Sequence, residues 1–494
     1  MNDTRFLSLV AGCFFIVTPQ AFGTTFIAST MADLTADVGK IASGDTIFVR
    51  AGTYSTTATI SLSANGTPAK RCCLLVYPGD SRPTLDFSAM PLGGSNRGIV
   101  LSGDYWYIKG IIVKGAGDNG GNISGSNNIV EFCDFLENQD SGLQLGDGAA
   151  NNQIINCDSY YNKDPGQGNA DGFSPKLNVG TGNYFKGCRS WQNSDDGFDG
   201  YLRPSDDITT TFENCWCFKN GYLKDGSAGS GNGNGFKMGG SDTKDLRHNQ
   251  ILKNCLSVGN RVKGFDQNNN IGSMTLYNCT AFNNGTNYSI DASKLASGKT
   301  LTVTNCISAG TGSVQLTGGV ITTCSWSGGF SVSNADFVSV DASQLSDPRK
   351  ADGSLPDIAF MHLQTSPKSK LIDAGTVISS MPYNGAKPDL GCFETGIGTG
   401  ALHQTALSAA PVRFMALSQP VSGLLTVTFD CAEPATASIG LFTVTGRKVI
   451  DIGDHAYAPG RNDKTMNIRV LSSGEYLCKL NAGNRELCQT VLKK

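Results

Sequence analysis

The sequence predicts an all-β protein: a parallel β-helix followed by a small C-terminal β-sandwich. Three observations lead to this prediction: a composition rich in glycine and poor in charge, a cysteine and asparagine repeat, and a change to alternating strands near the C-terminus. The 494 residues include 61 glycines, and only 16% of the chain is charged. Such a composition favours many turns over long charged helices.

The overall charge balance also excludes some partners. The chain has 39 basic and 42 acidic residues, which leaves a net charge of -3. A broad basic surface for nucleic acid or an anionic membrane is therefore absent from the composition. An acidic polymer would have to be held by a local cluster of residues.

The repeat has the form C-x4-N and occurs six times, at Cys133 and Asn138, Cys157 and Asn162, Cys188 and Asn193, Cys215 and Asn220, Cys255 and Asn260, and Cys279 and Asn284. A glycine followed by an apolar residue comes after the first five, at Gly142-Leu143, Gly172-Phe173, Gly197-Phe198, Gly235-Phe236 and Gly264-Phe265. The shortest unit is 24 residues, the separation of Cys133 and Cys157. β-rich units of this length without a helix pattern predict the coils of a β-helix.

In such a coil, equivalent residues stack about 4.8 Å apart. Cysteine suits a column of small apolar side chains in the interior. Asparagine tolerates left-handed turn geometry and can bond along its own stack. Both columns are interpreted as structural ladders, so neither is assigned to chemistry.

The coils set the domain boundaries. Residues 44–55, "GDTIFVRAGTYS", read as strand, turn and strand of the first coils, and weaker β-rich sequence continues to residue 394. The β-helix domain is thus predicted over 24–394, with a small, polar linker at 395–412. Residues 413–494 alternate like a β-sandwich. Cys478 and Cys488 flank one hairpin of this domain and are candidates for a disulfide, with Cys431 as a competitor.

Residues 1–23 are predicted to be a cleaved signal peptide, because a short polar start containing Arg5 precedes an apolar run. The run is too short to span a bilayer, and no later segment is apolar enough. A lipoprotein cleavage box at Cys13 is the alternative. Either interpretation places the mature protein outside the cytoplasm.

The chemistry is concentrated in "NSDDGFDGYL", residues 193–202. Alignment of the coils on the glycine column places Asp171, Asp196, Asn234 and Lys263 in one row, and Ser174, Asp199, Lys237 and Asp266 in a second row. If the phenylalanines point inward, the second row points outward. The glycine can break the alternation, so that the first row faces the same groove. We therefore expect Asp171, Asp195, Asp196 and Asp199 to converge, with Lys237 one coil further on.

Four neighbouring carboxylates do not stay ionised together without a cation. Oxygen ligands from several coils suit Ca²⁺, which accepts irregular sets of six to eight oxygens. The four histidines are far apart in the sequence and the cysteines form no CxxC pairs, which argues against zinc. The alternative, that these Asp-Gly pairs are only turn residues, fits a single pair better than four aligned aspartates.

The segments "NADGFSPKLNVGTGNYFKGCRSWQNSDDGFDGY", "GNGFKMGG" and "NRVKGFDQNNN" resemble family 9 polysaccharide lyases, the pectate lyase group built on a right-handed parallel β-helix. The resemblance covers 24–394 and is most specific over 129–290. It implies calcium binding by Asp171, Asp195, Asp196 and Asp199 and a catalytic base at Lys237. Activity is then expected to need Ca²⁺ and to rise with pH. Arg203, Lys263 and Asp266 are candidates for contact with the acidic plant polysaccharide.

The C-terminal segments "GLFTVTGRKV" and "GRNDKTMNIRVLSSGEYLCKL" are similar to type IX secretion sorting domains. This implies recognition by the secretion machinery and a secreted or surface-attached protein, and it disfavours the lipoprotein alternative. We expect a monomer.

Three other functions stay open at this point. A rhamnogalacturonan lyase of the same family would share the site. A β-helix glycoside hydrolase also uses clustered aspartates, although its N-T-D and G-H-G elements are missing here. A calcium-stiffened surface adhesin would bind a pectic polymer without cleaving it.

Overall fold

The computed structural model describes residues 23–396 and, near the C-terminus, 412–417, 421–431, 435–443, 447–458, 460–482 and 485–493. Residues 23–322 form a right-handed parallel β-helix of three sheets, as predicted. Each full coil passes through sheet 1, sheet 2 and sheet 3 in turn. The predicted signal peptide and most of the predicted linker lie outside the described residues.

Sheet 1 has twelve strands: Thr25–Ala28, Thr46–Val49, Cys72–Val76, Trp106–Lys109, Ile129–Glu131, Gln153–Ile155, Asn183–Lys186, Ile208–Glu213, His248–Lys253, Met274–Tyr277, Leu301–Thr304 and Val320–Thr322. Sheet 2 has ten: Thr53–Ser55, Thr84–Asp86, Ile112–Lys114, Asp134–Leu136, Asp158–Tyr160, Arg189–Trp191, Trp216–Phe218, Leu256–Val258, Thr280–Phe282 and Ile307–Ala309. Sheet 3 also has ten: Ile60–Leu62, Ile99–Leu101, Gly121–Ile123, Leu143–Leu145, Phe173–Pro175, Phe198–Asp199, Phe236–Lys237, Lys263–Asp266, Thr286–Asp291 and Ser313–Thr317.

The two sequence ladders mark the corners of the coils. All six repeat cysteines are buried at the turn between sheets 1 and 2. The repeat asparagines are buried between sheets 2 and 3, where each donates Nδ2–H to the Oδ1 atom of the next at 2.8 to 3.0 Å. The ladder ends on Asn287, which accepts the bond from Asn284. The left-handed conformation, however, belongs to the residue before each asparagine, for example Gln192 with φ 49°. The sequence prediction was wrong on that detail.

One helix, Met31–Val38, packs on the first coils through the buried Leu34. Its N-cap is Thr30, which forms a capping box with Asp33. Three short 3-10 helices also occur in the described residues: Ala292–Lys294, Asn334–Asp336 and Ala342–Ser346.

Residues 323–394 differ from the expected β-rich continuation, because they add no further coil. They lie against sheet 2, where they share an apolar core with Trp216, Phe218 and Phe282. The segment contributes Phe337, Leu345, Leu355, Phe360 and Leu371 to that core. It also supplies Arg349, whose Nη2 atom lies 2.6 Å from Asp158 Oδ1. Asp158 pairs with Arg189 as well, at 2.7 Å, so a buried carboxylate ties the segment to the coils.

The C-terminal region forms two antiparallel sheets, as predicted for a sandwich. One contains Val412–Leu417, Leu424–Cys431 and Gly460–Asn467; the other contains Lys448–Tyr457, Ala435–Thr443, Gly474–Ala482 and Arg485–Lys493. Apolar residues of both sheets, such as Phe429 and Ile439, share one core. In the last hairpin Cys478 lies opposite Gln489, while Cys488 lies opposite Lys479. The two cysteines are therefore not direct cross-strand partners, and the side chains of Cys431 and Cys488 lie outside the described residues.

Candidate active site

The site lies on the outer face of sheet 3, and the phenylalanine column beneath it sets its position. The rings of Phe173, Phe198, Phe236 and Phe265 stack in the interior with centroids 4.7 to 5.3 Å apart. Since alternate residues of a strand point to opposite faces, the residue after each phenylalanine points outward. The strand register accordingly places Lys237 between Asp199 and Asp266.

The glycine column brings a second row of side chains to the same face. A Cβ atom on Gly172 would lie 2.0 Å from Ser190 Oγ, and one on Gly197 would lie 2.6 Å from the Gly235 carbonyl oxygen. Only glycine fits these close approaches. Because the two coils approach so closely here, the backbone N–H of Asp196 donates to Asp171 Oδ1 at 3.1 Å.

Of the four aspartates expected to converge, Asp171, Asp195 and Asp196 do so, whereas Asp199 lies beside them outside this group of oxygens. Each offers one carboxylate oxygen, and these oxygens all lie within 4.8 Å of one another. The three residues are at most 2% exposed. Backbone N–H groups of Asn232 and Asn234 fix one oxygen each of Asp195 and Asp196. The buried Asp196 Oδ2 has no hydrogen-bond partner of good geometry among the described residues.

Burial and mutual repulsion disfavour the ionised form of this group. Burial, together with the charges of Asp196 and Asp171, raises the pKa of Asp195 to about 9. Burial also raises the pKa of Asp171, to about 6, against the opposing effect of Lys176. The pKa of Asp196 is raised by burial too, although Lys237 opposes the shift. The protein alone does not supply enough positive charge to keep all of these carboxylates ionised.

Lys237 lies directly beside the aspartates. Its Nζ atom is 3.1 Å from Asp196 Oδ2 and 3.3 Å from Asp199 Oδ1. Burial alone would lower the pKa of Lys237, but the carboxylates of Asp199 and Asp196 raise it well above its ordinary value. The 3.1 Å approach to Asp196 Oδ2 is thus an ion pair without good hydrogen-bond geometry. In this arrangement the amine is an ammonium group.

Asp199 differs from the other three aspartates because both of its oxygens face ammonium groups. Its Oδ1 faces Lys237, and its Oδ2 lies 3.6 Å from Lys176 Nζ. Burial would raise the pKa of Asp199, but Lys237 and Lys176 hold it below its ordinary value. Asp199 is therefore the ionised bridge between the two lysines.

Lys176 is a site residue that the sequence reasoning missed. Its Nζ atom lies 2.6 Å from Asp171 Oδ2, and its side chain is only 10% exposed. The signal was present in "FSPK", residues 173–176, because a period of two from the inward Phe173 places both Ser174 and Lys176 on the outer face. The two aligned rows end with the residue directly after each phenylalanine, so they do not include Lys176.

The three predicted substrate contacts lie around this centre but do not join it. Lys263 pairs with Asp266 at 2.8 Å on the coil next to Lys237. Arg203 pairs with Asp242, with both side chains more than half exposed. The Tyr201 ring links this outer pair to the centre, because Arg203 and Lys237 each lie 5.4 Å from its centroid.

Two longer segments between a repeat asparagine and the next glycine, residues 163–170 and 221–234, contact each other beside the aspartates. Gln167, from residues 163–170, accepts the backbone N–H of Ser230, from residues 221–234, at 3.0 Å. The second insertion also provides Asn232, whose N–H holds Asp195. Both segments therefore lie next to the acidic cluster.

The buried carboxylates and the adjacent amine place possible cation ligands beside a possible general base. Comparisons with known proteins identify the class of the protein: the chain is a polysaccharide lyase. Residues 16–306 match the model of the Pel9A-like right-handed β-helix region, and the chain belongs to that family. The sequence resemblance is therefore confirmed.

The individual relatives agree with this assignment. A protein of Dickeya chrysanthemi named pectate lyase L is 40% identical over 304 residues, covering 61% of this chain and 69% of its own length. The crystal structure of pectate lyase Pel9A superimposes with a TM-score of 0.70 at 35% identity, covering 76% of this chain and 98% of that one. A structure titled rhamnogalacturonan lyase has a TM-score of 0.61 at 26% identity, covering 70% and 97%.

Residues 419–494 match the secretion system C-terminal sorting domain, which confirms the interpretation of the C-terminal region. The domain implies secretion or attachment to the cell surface. Every helix in the described ranges is too short or too polar to cross a membrane.

Proposed function

We propose that the protein is a secreted pectate lyase, which cleaves polygalacturonate-type pectin by calcium-assisted β-elimination with Lys237 as the base. The observation that carries the proposal is the position of Lys237 Nζ, 3.1 Å from Asp196 and 3.3 Å from Asp199, beside three aspartates whose oxygens converge. The similarity to proteins named pectate lyase supports the choice of substrate.

The residues present fit a calcium ion. Asp171, Asp195 and Asp196 offer only oxygen ligands, and these come from two coils in an irregular arrangement that Ca²⁺ tolerates better than Mg²⁺ does. The buried Asp196 Oδ2 forms an ion pair with Lys237 but accepts no hydrogen bond of good geometry, so it keeps capacity to bind a cation. Asp199 would complete the set from its place between the lysines.

When bound, Ca²⁺ would supply positive charge that acidifies the substrate proton next to a uronate carboxylate and favours the neutral amine of Lys237. Lys237 then takes the C5 proton of a galacturonate with its Nζ lone pair. The C5–H electrons form the C4=C5 double bond, the C4–O bond breaks, and the leaving oxygen gains a proton from solvent. The products are a shortened chain and a 4,5-unsaturated sugar.

The groove on either side of Lys237 is suited to an acidic polymer. Lys263 lies on the next coil, where it keeps donors in addition to its bond to Asp266. The exposed Arg203, held by Asp242, presents a planar guanidinium suited to a carboxylate. We assign these three predicted residues, Arg203, Lys263 and Asp266, to substrate contact rather than to chemistry.

A rhamnogalacturonan lyase activity is the second candidate. It is favoured by the 26% identical structure of that title, which superimposes over 70% of this chain. Both substrates contain galacturonate, so the two activities would use the same aspartates and the same lysine.

A panel of polymers tests both candidates. Purified protein is incubated with polygalacturonate, methyl-esterified pectin and rhamnogalacturonan, each with Ca²⁺ and with excess chelator, and the ultraviolet absorbance of unsaturated product is followed. We expect product from polygalacturonate with Ca²⁺ and none with chelator. Product from rhamnogalacturonan alone would select the second candidate, and full activity in chelator would overturn the calcium role.

A further inference from the structure

Lys176 is a buried cation in contact with a proposed calcium ligand, yet the proposed chemistry gives it no part. Its ammonium group lies 2.6 Å from Asp171 Oδ2, 3.6 Å from Asp199 Oδ2 and 3.4 Å from the Asn169 carbonyl oxygen. The Asp171 and Asn169 oxygens accept hydrogen bonds from the ammonium group, and the Asp199 carboxylate lies at ion-pair distance. Lys176 is therefore held in place, whereas Lys237 faces Asp196 Oδ2 without a good hydrogen bond.

We propose that Lys176 is a positioning residue that acts as a built-in counter-ion and sets the calcium affinity of the site. The inference rests on the proposed calcium site. With the ammonium group in place, Asp171 Oδ2 is already occupied, since it also accepts the hydroxyl protons of Ser174 and Ser141 at 2.9 and 3.2 Å. A cation must then share Asp171 with Lys176.

The net charge of the site supports the same role for Lys176. When all are ionised, the four aspartates and two lysines leave two negative charges, and the nearby Asp140, whose charge also acts on Lys176, adds a third. Without Lys176 the site would carry one more negative charge. Repulsion between like charges a few ångströms apart inside a protein is larger than the free energy of a tenfold change in affinity.

The same contacts give Lys176 a second effect, on the cation-free protein. Asp171 is fully buried, and a buried carboxylate that loses its ionic partner is strongly destabilising. Lys176 therefore holds the ligand set together when calcium is absent and weakens calcium binding when it is present. A residue that served the fold alone would show only the first effect.

The test uses the full chain and two substitutions of this lysine. Lys176→Met keeps the length and removes the charge, whereas Lys176→Arg keeps the charge. Lys186→Met is the matched control, because Lys186 pairs with Glu213 on sheet 1, away from the site. Calcium affinity is measured by competition with a chromophoric chelator, and melting temperature is measured in chelator and in saturating Ca²⁺.

We expect Lys176→Met to bind calcium at least about tenfold more tightly than the unaltered protein, with a melting temperature lowered in chelator and restored by Ca²⁺. Lys176→Arg and the control should bind as the unaltered protein does. Unchanged or weaker binding by Lys176→Met, or its failure to fold even in saturating Ca²⁺, would overturn the counter-ion role while leaving the lyase proposal in place. Absence of calcium binding by the unaltered protein would instead overturn the proposed function itself.

Discussion

Replacement of Lys237 by methionine is the most direct test of the proposed base. Methionine keeps the length and the apolar stem but has no lone pair that can take a proton at neutral pH. A positioned general base contributes about 100- to 10,000-fold to a rate. We expect a loss near the upper end of that range, because the other nearby amine, Lys176, is bound to Asp171 at 2.6 Å and cannot replace it.

Calcium binding should survive this substitution. Lys237 contributes positive charge beside Asp196 and Asp199, so its removal lowers the repulsion felt by a cation. Turnover is measured by the absorbance of unsaturated product, and calcium binding by calorimetry on the same preparation. Lys186→Met serves as the control, since it removes an equivalent charge from sheet 1.

Turnover and calcium binding, measured together, identify the role of Lys237. Lost turnover with retained calcium binding supports a base at Lys237. Turnover within about tenfold of the unaltered enzyme would refute that role, because so small an effect is below the contribution of a general base. Joint loss of turnover and calcium binding would mean that Lys237 holds the ligand set instead.

Three further predictions concern the aromatic stack beneath the site, the buried ion pair that ties residues 323–394 to the coils, and the pH dependence of stability. Phe198→Ala removes a 1% exposed ring from the stack beneath Asp199 and should cost about 3–5 kcal/mol in urea unfolding; a cost below about 1 kcal/mol would contradict the packing. Arg349→Met should cost about 1–3 kcal/mol, because buried Asp158 keeps Arg189 but loses its second cationic partner, while exposed Lys40→Met should be neutral. The pKa of Asp195 is raised from 3.8 to about 9 in the cation-free fold, so folding favours its protonated form. The melting temperature in chelator should therefore fall more steeply, or rise less, between pH 3.8 and about 9 than that of Asp195→Asn, and this difference should shrink in Ca²⁺, whereas equal slopes would refute the assignment.

The repeat made the centre of the site predictable from the sequence. Once the coils are aligned on the glycine and phenylalanine columns, hydrogen bonding between coils leaves little freedom in the position of each row. This is why Asp171, Asp196 and Lys237 converge as expected. The asparagine ladder was predictable for the same reason, and the error there concerned only which residue of the corner takes the left-handed conformation.

Features that do not repeat were less predictable. Residues 323–394 share no period with the coils, so their position against sheet 2 depends on tertiary contacts such as that of Arg349 with Asp158. The pairing of Arg203 with Asp242 likewise joins two long surface side chains whose directions the coil register does not fix. The position of Lys176 could be predicted from the sequence, because it lies two residues beyond the outward-facing Ser174.

The backbone N–H of Asn232 reaches Asp195 from the insertion at residues 221–234. An insertion that lies outside the regular coils thus supports one carboxylate of the acidic centre. A change in the length of that segment would therefore also change how this carboxylate is held. The outer surface beside the site and the acidic centre are coupled through the backbone of a single residue.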